Sequence, residues 1–282
     1  MQCIAIQGFE GSFHQVAAQR FYGASTAVLT CATFREVVAK AQHDERCAGA
    51  LMAIENSIAG SILPNYNLLK KSGLRIIGEV YLEISQNLLV YPGTPLSAIR
   101  EVHSHPMALL QCQDFLDRHS WKLVETEDTA LSARHIQQNQ SRHIAGIAST
   151  LAAQLYGLDV AAADIQTMKH NYTRFLVLSR DAGAPEAAPA NKASVYFHVH
   201  NEKGSLAKVL QVIAGCGIDL SKLQSFPIPG SNWQYSFHAD LEFEHRAQLD
   251  QALKQLDKVT TELHLYGVYA AGLRAGLQLL YP

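Results

Sequence analysis

The sequence contains few charged residues and lacks the features that mark several common protein classes. Lysine, arginine, aspartate and glutamate make up 17% of its 282 residues, and the formal net charge is −2. No run of basic residues occurs, which argues against a nucleic acid as partner. No apolar run approaches the roughly 20 residues that cross a bilayer. The first residues also lack the basic start and apolar stretch of a signal peptide, so we expect no membrane partner.

The sequence has five cysteines, an odd number, and no CxxC spacing. This pattern indicates reduced thiols, so we expect a cytoplasmic protein. Cys3, Cys31 and Cys112 lie in apolar stretches, as small core residues do. No cysteine has beside it the histidine or basic cluster that activates a catalytic thiol. The hydrophobic content of 48% allows a sizeable core.

Strand and helix patterns alternate over the first 180 residues. Thr33 followed by Glu36 predicts a capping box, and Pro106 suits a first helical position. The alternation predicts βαβ units, a largely parallel sheet and an α/β fold. The predicted strands are residues 3–7, 26–30, 49–54, 101–103, 122–125, 144–148 and 175–178, with one or two more in 74–90, and the predicted helices are 13–21, 34–42, 106–116, 129–138 and 150–156.

Residues 181–191 are rich in alanine and proline and have no large apolar side chain, which predicts a linker. Beyond it the order of elements is βαββαβ, the ferredoxin-like plan. Its strands are predicted at 193–200, 218–228, 233–243 and 261–269, and its helices at 204–214 and 246–256. We therefore divide the chain into domains at 1–180 and 192–270, joined by the linker 181–191 and followed by a tail at 271–282.

Four polar clusters follow predicted strands, where ligands of parallel α/β sheets bind. Each also has an ordinary structural explanation, such as a turn, a helix cap or a strand-forming residue beside a surface charge. Together they predict a cleft with one acid, one cation and several hydroxyl and amide groups. The clusters are Gly8-x-x-Gly11-Ser12, Glu55-Asn56-Ser57, Ser104-His105-Pro106 and Thr173-Arg174-Phe175.

Several motifs of other enzyme classes are missing from the sequence. It contains no Walker-type loop, no nucleophile elbow and no zinc-ligand spacing. His103 and His105 would share one side of a strand, as would His198 and His200, but no third metal ligand is placed near either pair.

Five motifs, in order, resemble the motif series of prephenate dehydratases. They are residues 8–13, 54–61, 104–112, 148–158 and 171–175. Residues 204–210 and 217–220 resemble the phenylalanine-sensing ACT domain that usually follows. The resemblance implies a two-lobed catalytic domain like that of periplasmic binding proteins, followed by a ferredoxin-like regulatory domain. The chain begins on its first predicted strand, so we expect no fused chorismate mutase segment.

The resemblance also implies a reaction, the decarboxylating dehydration of prephenate to phenylpyruvate in L-phenylalanine biosynthesis. No metal or organic cofactor is expected, L-phenylalanine is the expected effector, and the expected assembly is a homodimer or homotetramer. Two alternatives stay open. One is arogenate dehydratase, which would use the same site on a substrate with an amino group, and the other is a non-enzymatic small-molecule sensor.

Roles for the motif residues follow from the resemblance. Thr173 is expected to hydrogen-bond the leaving hydroxyl, or to relay a proton to it from Glu55. Arg174 and the N–H groups near Gly11 and Ser12 are expected to fix carboxylates. The ring and its substituents are expected to be oriented by Asn56, Ser57, Ser104 and Gln111, and water to be excluded by Phe175. The expected effector residues are Asn201, Gly204, Ser205, Leu206, Ile218, Asp219 and Leu220.

The sequence departs from the family pattern in two places. Met107 stands where the family usually has glutamine after Ser-His-Pro, so any role of that amide is lost. Gln224 and Phe226 replace both charged residues of the Glu-Ser-Arg-Pro motif in the regulatory domain. The second departure concerns the strength and form of phenylalanine control and leaves the expected fold unchanged.

Overall fold

The structure is a computed structural model that describes residues 2–181, 189–228, 230 and 234–273. The chain divides into two compact units. The described residues of the first unit are those up to Gly73 and Val80–Val177. The described residues of the second unit lie within Leu74–Glu79 and Leu178–Leu273. None of the described helices has the length and apolarity that a membrane crossing requires.

Secondary structure in the N-terminal part alternates between strands and helices, as the sequence pattern predicts. The strands are β1 (Cys3–Gln7), β2 (Val28–Cys31), β3 (Cys47–Asn56), β4 (Gly60–Ser61), β5 (Arg75–Glu83), β6 (Asn87–Val90), β7 (Glu101–Ser104), β8 (Lys122–Glu125), β9 (Ile144–Ala148), β10 (Asp159–Ala162) and β11 (Tyr172–Ser179). The helices are α1 (Phe13–Tyr22), α2 (Phe34–His43), α3 (Leu63–Ser72), α4 (Pro106–Gln111), α5 (Gln113–Leu116), α6 (Thr129–Asn139) and α7 (Thr150–Tyr156), with a short 3-10 helix at Leu96–Ala98.

Two sheets divide these elements into two α/β lobes, the plan of periplasmic binding proteins. The first has the strand order β2-β1-β3-β11-β5, with β4 paired to β3. The second has the order β10-β6-β9-β7-β8. Strand β3 is central and carries an unbroken buried run, including Leu51, Met52 and Ile54, as a strand covered on both faces requires. In each sheet the strands that precede α1, α2, α4 and α6 run parallel to a neighbour, so these helices begin at the carboxyl ends of strands.

The second unit has a four-stranded antiparallel sheet in the order β13-β14-β12-β15. Its elements are β12 (Lys192–His198), α8 (Ser205–Gly215), β13 (Asp219–Pro227), β14 (Tyr235–Glu242), α9 (Arg246–Leu256) and β15 (Glu262–Tyr269). Alternate residues of β12, Val195 and Phe197, pack with Val209 of α8 and Leu249 of α9. This order of elements confirms the βαββαβ prediction. The two helices cover the apolar face of the sheet.

The structure corrects several element predictions and adds elements that were not predicted, strand β4 among them. The single helix at 106–116 is two short helices that break at Cys112. Helix α3 was not predicted, because Ile62 before it makes no side-chain cap and Pro64 lies in its first turn. Strand β10 was also missed. Residues 74–90 form two strands, β5 and β6.

The domain boundaries also differ from the prediction. The second unit begins at Leu178, near the predicted end of the first domain at residue 180, but it also takes the first part of β5. Linker residues 182–188, tail residues 274–282 and the predicted strand start at residue 233 lie outside the described residues.

Candidate active site

A cavity of about 530 Å³ lies in the first unit and is lined by residues of both lobes. This volume is in the range of small-molecule sites. Among the described residues that line it, none is lysine or arginine. The ionisable side chains at its wall are those of His14, His105, Glu127 and Asp128. The described cavity wall therefore has acidic residues but lacks the cation of the cleft that the sequence predicts, which was to hold one acid and one cation.

Thr173 lines the cavity and is held by Asn56. Strand β11 lies beside β3, so the second residue of β11 is next to the end of β3. The Asn56 Nδ2 group donates to Thr173 Oγ1 at 3.0 Å and to Asn171 Oδ1 at 2.7 Å, while Asn56 Oδ1 accepts the backbone N–H of Ala59 at 2.9 Å. Because the Thr173 oxygen accepts from Asn56, its own proton remains available for a ligand in the cavity.

Arg174 lies outside the cavity lining, although it stands between two cavity residues in the sequence. Thr173 and Phe175 both line the cavity, and side chains of a strand alternate between its faces. Arg174 is only 5% exposed, and its guanidinium carbon lies 5.9 Å from the centroid of the Tyr81 ring. The structure therefore does not bring Arg174 to the cavity, which corrects its expected contact with a substrate carboxylate.

The turn that contains Gly11 packs against helix α7. The Gly11 N–H donates to Gln15 Oε1 at 2.6 Å, and its carbonyl accepts from Ser149 Oγ at 2.5 Å. Gly11 has φ +90°, and a Cβ there would lie 2.9 Å from Ala152 Cα. The position therefore requires glycine for packing, and its N–H is not available to a substrate. Ser12 does line the cavity and caps α1.

The remaining predicted residues divide between the cavity and the surrounding scaffold. Gln111 lines the cavity, and its Oε1 accepts from Gln86 Nε2 at 3.2 Å. Ser104 is fully buried and donates to the Ile147 carbonyl at 2.7 Å, so it joins β7 to β9 and does not face the cavity. Ser57 accepts the Tyr172 N–H at 2.9 Å and, like Glu55, is not among the lining residues. These two hydroxyls thus support the scaffold.

Helix N-termini are a feature of the cavity that the sequence analysis largely missed. The caps of α1, α2, α4 and α6 all line it, and they are Ser12, Thr33, His105 and Asp128. The predicted capping box at Thr33 is confirmed in part, since Thr33 accepts the Glu36 N–H while the Glu36 carboxylate accepts the N–H of Ala32. The N-terminal ends of four helices, with their free backbone N–H groups, therefore meet at one cavity.

Two titratable residues of the cavity were also missed. His14 has a buried Nε2 atom without a hydrogen-bond partner among the described residues, and burial lowers its pKa to about 3, so the ring is neutral. Burial also raises the pKa of the Asp128 carboxyl, against the opposing effects of two backbone N–H bonds and of His105. The available signal was the cluster Glu127-Asp128-Thr129, which begins two residues after the end of β8, because aspartate before a helix predicts an N-cap.

The sequence model of the family described as "Prephenate dehydratase" matches residues 4–183. The chain belongs to the prephenate dehydratase family.

Individual members of this family are similar over nearly the whole chain. A "Bifunctional N-acyl-homoserine lactone acylase/prephenate dehydratase" of Komagataeibacter europaeus is 33% identical over 270 residues, which cover 95% of each chain. "Arogenate dehydratase/prephenate dehydratase 2, chloroplastic" of Arabidopsis thaliana is 34% identical over 276 residues, 94% of this chain and 72% of the relative. The crystal structure of prephenate dehydratase from Arthrobacter aurescens in complex with L-Phe matches with a TM-score of 0.84 and 27% identity, over 95% of this chain and 89% of that one.

The cysteines and paired histidines noted in the sequence have the following surroundings in the described residues. Burial raises the pKa of Cys31 and of Cys112 to about 12, so both thiols stay protonated. Within the part of the chain that the structure describes, no three histidine, cysteine or acidic residues are grouped as metal ligands. His103 instead pairs with Glu101 at 2.8 Å, and His105 caps α4.

Proposed function

We propose that this protein converts prephenate to phenylpyruvate, with loss of water and carbon dioxide. One structural observation supports the proposal independently of family membership. The Thr173 hydroxyl accepts a hydrogen bond from Asn56 and has its proton available to the cavity. A leaving hydroxyl group on a substrate ring needs such a donor, since hydroxide departs readily only when it gains a proton or a strong hydrogen bond.

The remaining demands of the reaction are modest. The aromatic ring that forms supplies the driving force, so the site has to orient the substrate, assist the hydroxyl and hold two carboxylates. Ser12, Asn56 and Gln111 provide polar groups around the cavity, while Phe175 and Phe34 provide its apolar wall. The carboxylate that leaves should be held less tightly than the other, because strong stabilisation of its charge would oppose its loss.

Helix N-termini can hold the anionic groups in place of the arginine that the sequence predicted. The backbone N–H groups of Phe13 and His14 in α1 and of Phe34 in α2 have no hydrogen-bond partner among the described residues. All three residues line the cavity. Such groups bind carboxylates through directed hydrogen bonds and the positive end of the helix dipole.

The proposal is tested by the appearance of phenylpyruvate, followed by its ultraviolet absorbance, when the protein is mixed with prephenate. Arogenate serves as the comparison substrate. A protein that turns over neither compound contradicts the proposal.

Arogenate is the second candidate substrate, and the charge of the cavity favours it. Arogenate carries an ammonium group where prephenate has a keto group. The described cavity wall includes Glu127 and no lysine or arginine, a composition that suits a cation. The Arabidopsis relative is named for both activities. A larger kcat/KM for arogenate than for prephenate would make the amino acid the preferred substrate.

We also propose that the second unit binds L-phenylalanine as an ACT domain. A cavity of about 300 Å³ lies at the start of α8, and Asn201, Gly204, Ser205 and Leu206 line it. The other expected effector residues, Ile218, Asp219 and Leu220, are not among its lining residues. Phe226 is 7% exposed and packs edge-on against His238, away from this cavity, so it leaves the space open. The Arthrobacter relative was crystallised with L-Phe.

Calorimetric titration with L-phenylalanine is expected to give a saturable signal and a higher thermal midpoint, because a ligand that binds only the folded state stabilises it. L-Alanine is the matched control, since it has the same ammonium and carboxylate groups but no ring to fill the cavity. No heat and no midpoint shift at millimolar L-phenylalanine would leave this unit without its proposed effector.

Assembly through the second unit is part of the same proposal. Its sheet has two edge strands, β13 and β15, whose outer backbone groups can pair with a second copy. We propose a homodimer or homotetramer in the cytoplasm, and light scattering coupled to size-exclusion chromatography measures its mass. A monomer at micromolar concentration would contradict this assembly.

A further inference from the structure

We propose that Asp128 is the acid that protonates the leaving hydroxyl group, with Thr173 holding that group in place. The inference rests on the proposed dehydration of prephenate. An alcohol such as Thr173 is too weak an acid to be the proton source by itself. Glu55, the source expected from the sequence, does not line the cavity, whereas Asp128 does.

The two oxygens of Asp128 have separate surroundings. Oδ1 accepts the backbone N–H groups of Ala130 at 2.7 Å and Leu131 at 3.1 Å, which fixes the carboxyl group at the start of α6. Oδ2 has no hydrogen-bond partner among the described residues. It lies against Gly8, where an added Cβ would be only 2.5 Å from it. One oxygen therefore anchors the helix, and the other is available to carry a proton.

The surroundings of Asp128 favour its protonated form. The residue is 9% exposed, and burial raises the pKa of its carboxyl. The titratable groups around it are Glu127 beside it in the chain, His105 before α4 and Tyr156 on α7, and only His105 favours the ionised form. No lysine or arginine is among the described residues of the cavity wall. Burial of a carboxyl group without a cationic partner shifts its pKa upwards, the direction that suits a general acid.

The proposed step balances in atoms and electrons. The proton of Asp128 Oδ2 passes to the hydroxyl oxygen of prephenate as the ring C–O bond breaks, and water leaves. The bond between the ring and its carboxylate breaks at the same time, and its electron pair completes the aromatic ring as carbon dioxide departs. The Asp128 carboxylate then recovers a proton from solvent, so the reaction consumes one proton for each phenylpyruvate formed.

The test compares Asp128→Asn with Asp128→Ala. Asparagine caps a helix as well as aspartate does, so the first variant keeps α6 but has no acidic proton. We expect its kcat on prephenate to fall roughly 10²-fold while KM changes little and the thermal midpoint is not lowered. Alanine removes the cap as well, so the second variant loses both kcat and thermal stability.

The pH profile separates proton donation from a structural role. In the wild type, kcat should be highest where Asp128 is protonated and should fall as pH rises through its raised pKa. Asp128→Asn should lack this alkaline limb, whereas Glu127→Gln, which removes the neighbouring carboxylate, should keep it.

Stability gives an independent readout. Since the folded-state pKa of Asp128 is raised above its unfolded value, its contribution to stability is full at low pH and is lost as pH rises through the folded pKa. The thermal midpoint of Asp128→Asn relative to wild type should therefore increase with pH.

A kcat for Asp128→Asn within about three-fold of wild type, or an alkaline limb that survives in this variant, would overturn the inference and leave Asp128 as a helix cap only. Failure of the proposed function would look different. In that case the wild-type protein itself would form no product from prephenate or arogenate, and the inference would fall with it.

Discussion

Replacing Thr173 with alanine is expected to lower kcat roughly 10²-fold or more, with little change in KM. The Thr173 hydroxyl receives a hydrogen bond from Asn56 Nδ2 at 3.0 Å, and its proton is available to the cavity. A contact to the departing oxygen strengthens as that oxygen gains negative charge. Its loss therefore raises the barrier more than it weakens substrate binding. Initial rates of phenylpyruvate formation across prephenate concentrations measure both constants.

Two further variants at this position distinguish the hydroxyl from the shape of the side chain. Thr173→Ser retains the oxygen and should keep most of the activity, whereas Thr173→Val retains the shape and should be as slow as alanine. The Asn56 amide would lose one of its acceptors in the valine variant, so circular dichroism must show that the fold is intact. Rates of Thr173→Val within about three-fold of wild type would exclude the hydroxyl from the reaction.

The order of elements was predictable because apolar periodicity and turn residues act locally. The boundaries of β1, β8, β9, α7 and α9 match the prediction. Helix α3 was not predictable in the same way. It has a proline in its first turn, lacks a side-chain cap and is held by buried contacts of Tyr66 and Leu69. Local signals were weak there, and tertiary packing determined the outcome.

The motif residues lie around the cavity, but the sequence did not predict the direction of every side chain. Thr173 and Arg174 are adjacent in the sequence, yet the two-residue period of a strand directs them to different faces. Ser104 and Gly11 follow predicted strands, yet one is bonded to Ile147 and the other packs on Ala152. Position at a strand end therefore selects candidates, and the register of the strand decides which of them reach the cavity.

The properties of His14 and Asp128 depend on burial that no short motif encodes. His14 is one of several histidines in the sequence, and its pKa is lowered because the packed wall excludes water from its ring. From the sequence Asp128 is an ordinary helix cap, and the structure adds that the residue lines the cavity and that only one of its oxygens caps the helix. Tertiary structure, and not residue type, makes these two groups candidates for chemistry.

Replacing Lys192 with methionine is expected to cost about 3–5 kcal/mol of folding free energy, because it leaves a buried carboxylate without its cation. Lys192 is 1% exposed, and its Nζ lies 3.0 Å from Glu79 Oε1 and 3.1 Å from Glu242 Oε1. The Glu79 side chain is fully buried, and its Oε1 also accepts the Gly272 N–H at 3.0 Å. All four residues belong to the second unit.

Urea unfolding followed by circular dichroism measures this loss, and an exposed ion pair supplies the matched control. Lys122 Nζ lies 3.2 Å from Glu101 Oε1, but the Lys122 side chain is 71% exposed. Lys122→Met should therefore cost no more than about 1 kcal/mol, because water solvates the carboxylate that remains.

The double variant Glu79→Gln/Lys192→Met identifies the cause of the loss. Glutamine removes the buried charge and keeps an oxygen to accept the Gly272 N–H, so most of the lost stability should return. If the double variant were as unstable as Lys192→Met, the loss of stability would come from the packing of the aliphatic part of the lysine side chain and not from the buried charge of Glu79. We expect unequal effects because both side chains of the Lys192–Glu79 pair are buried. Equal losses of stability in Lys192→Met and Lys122→Met would contradict this prediction.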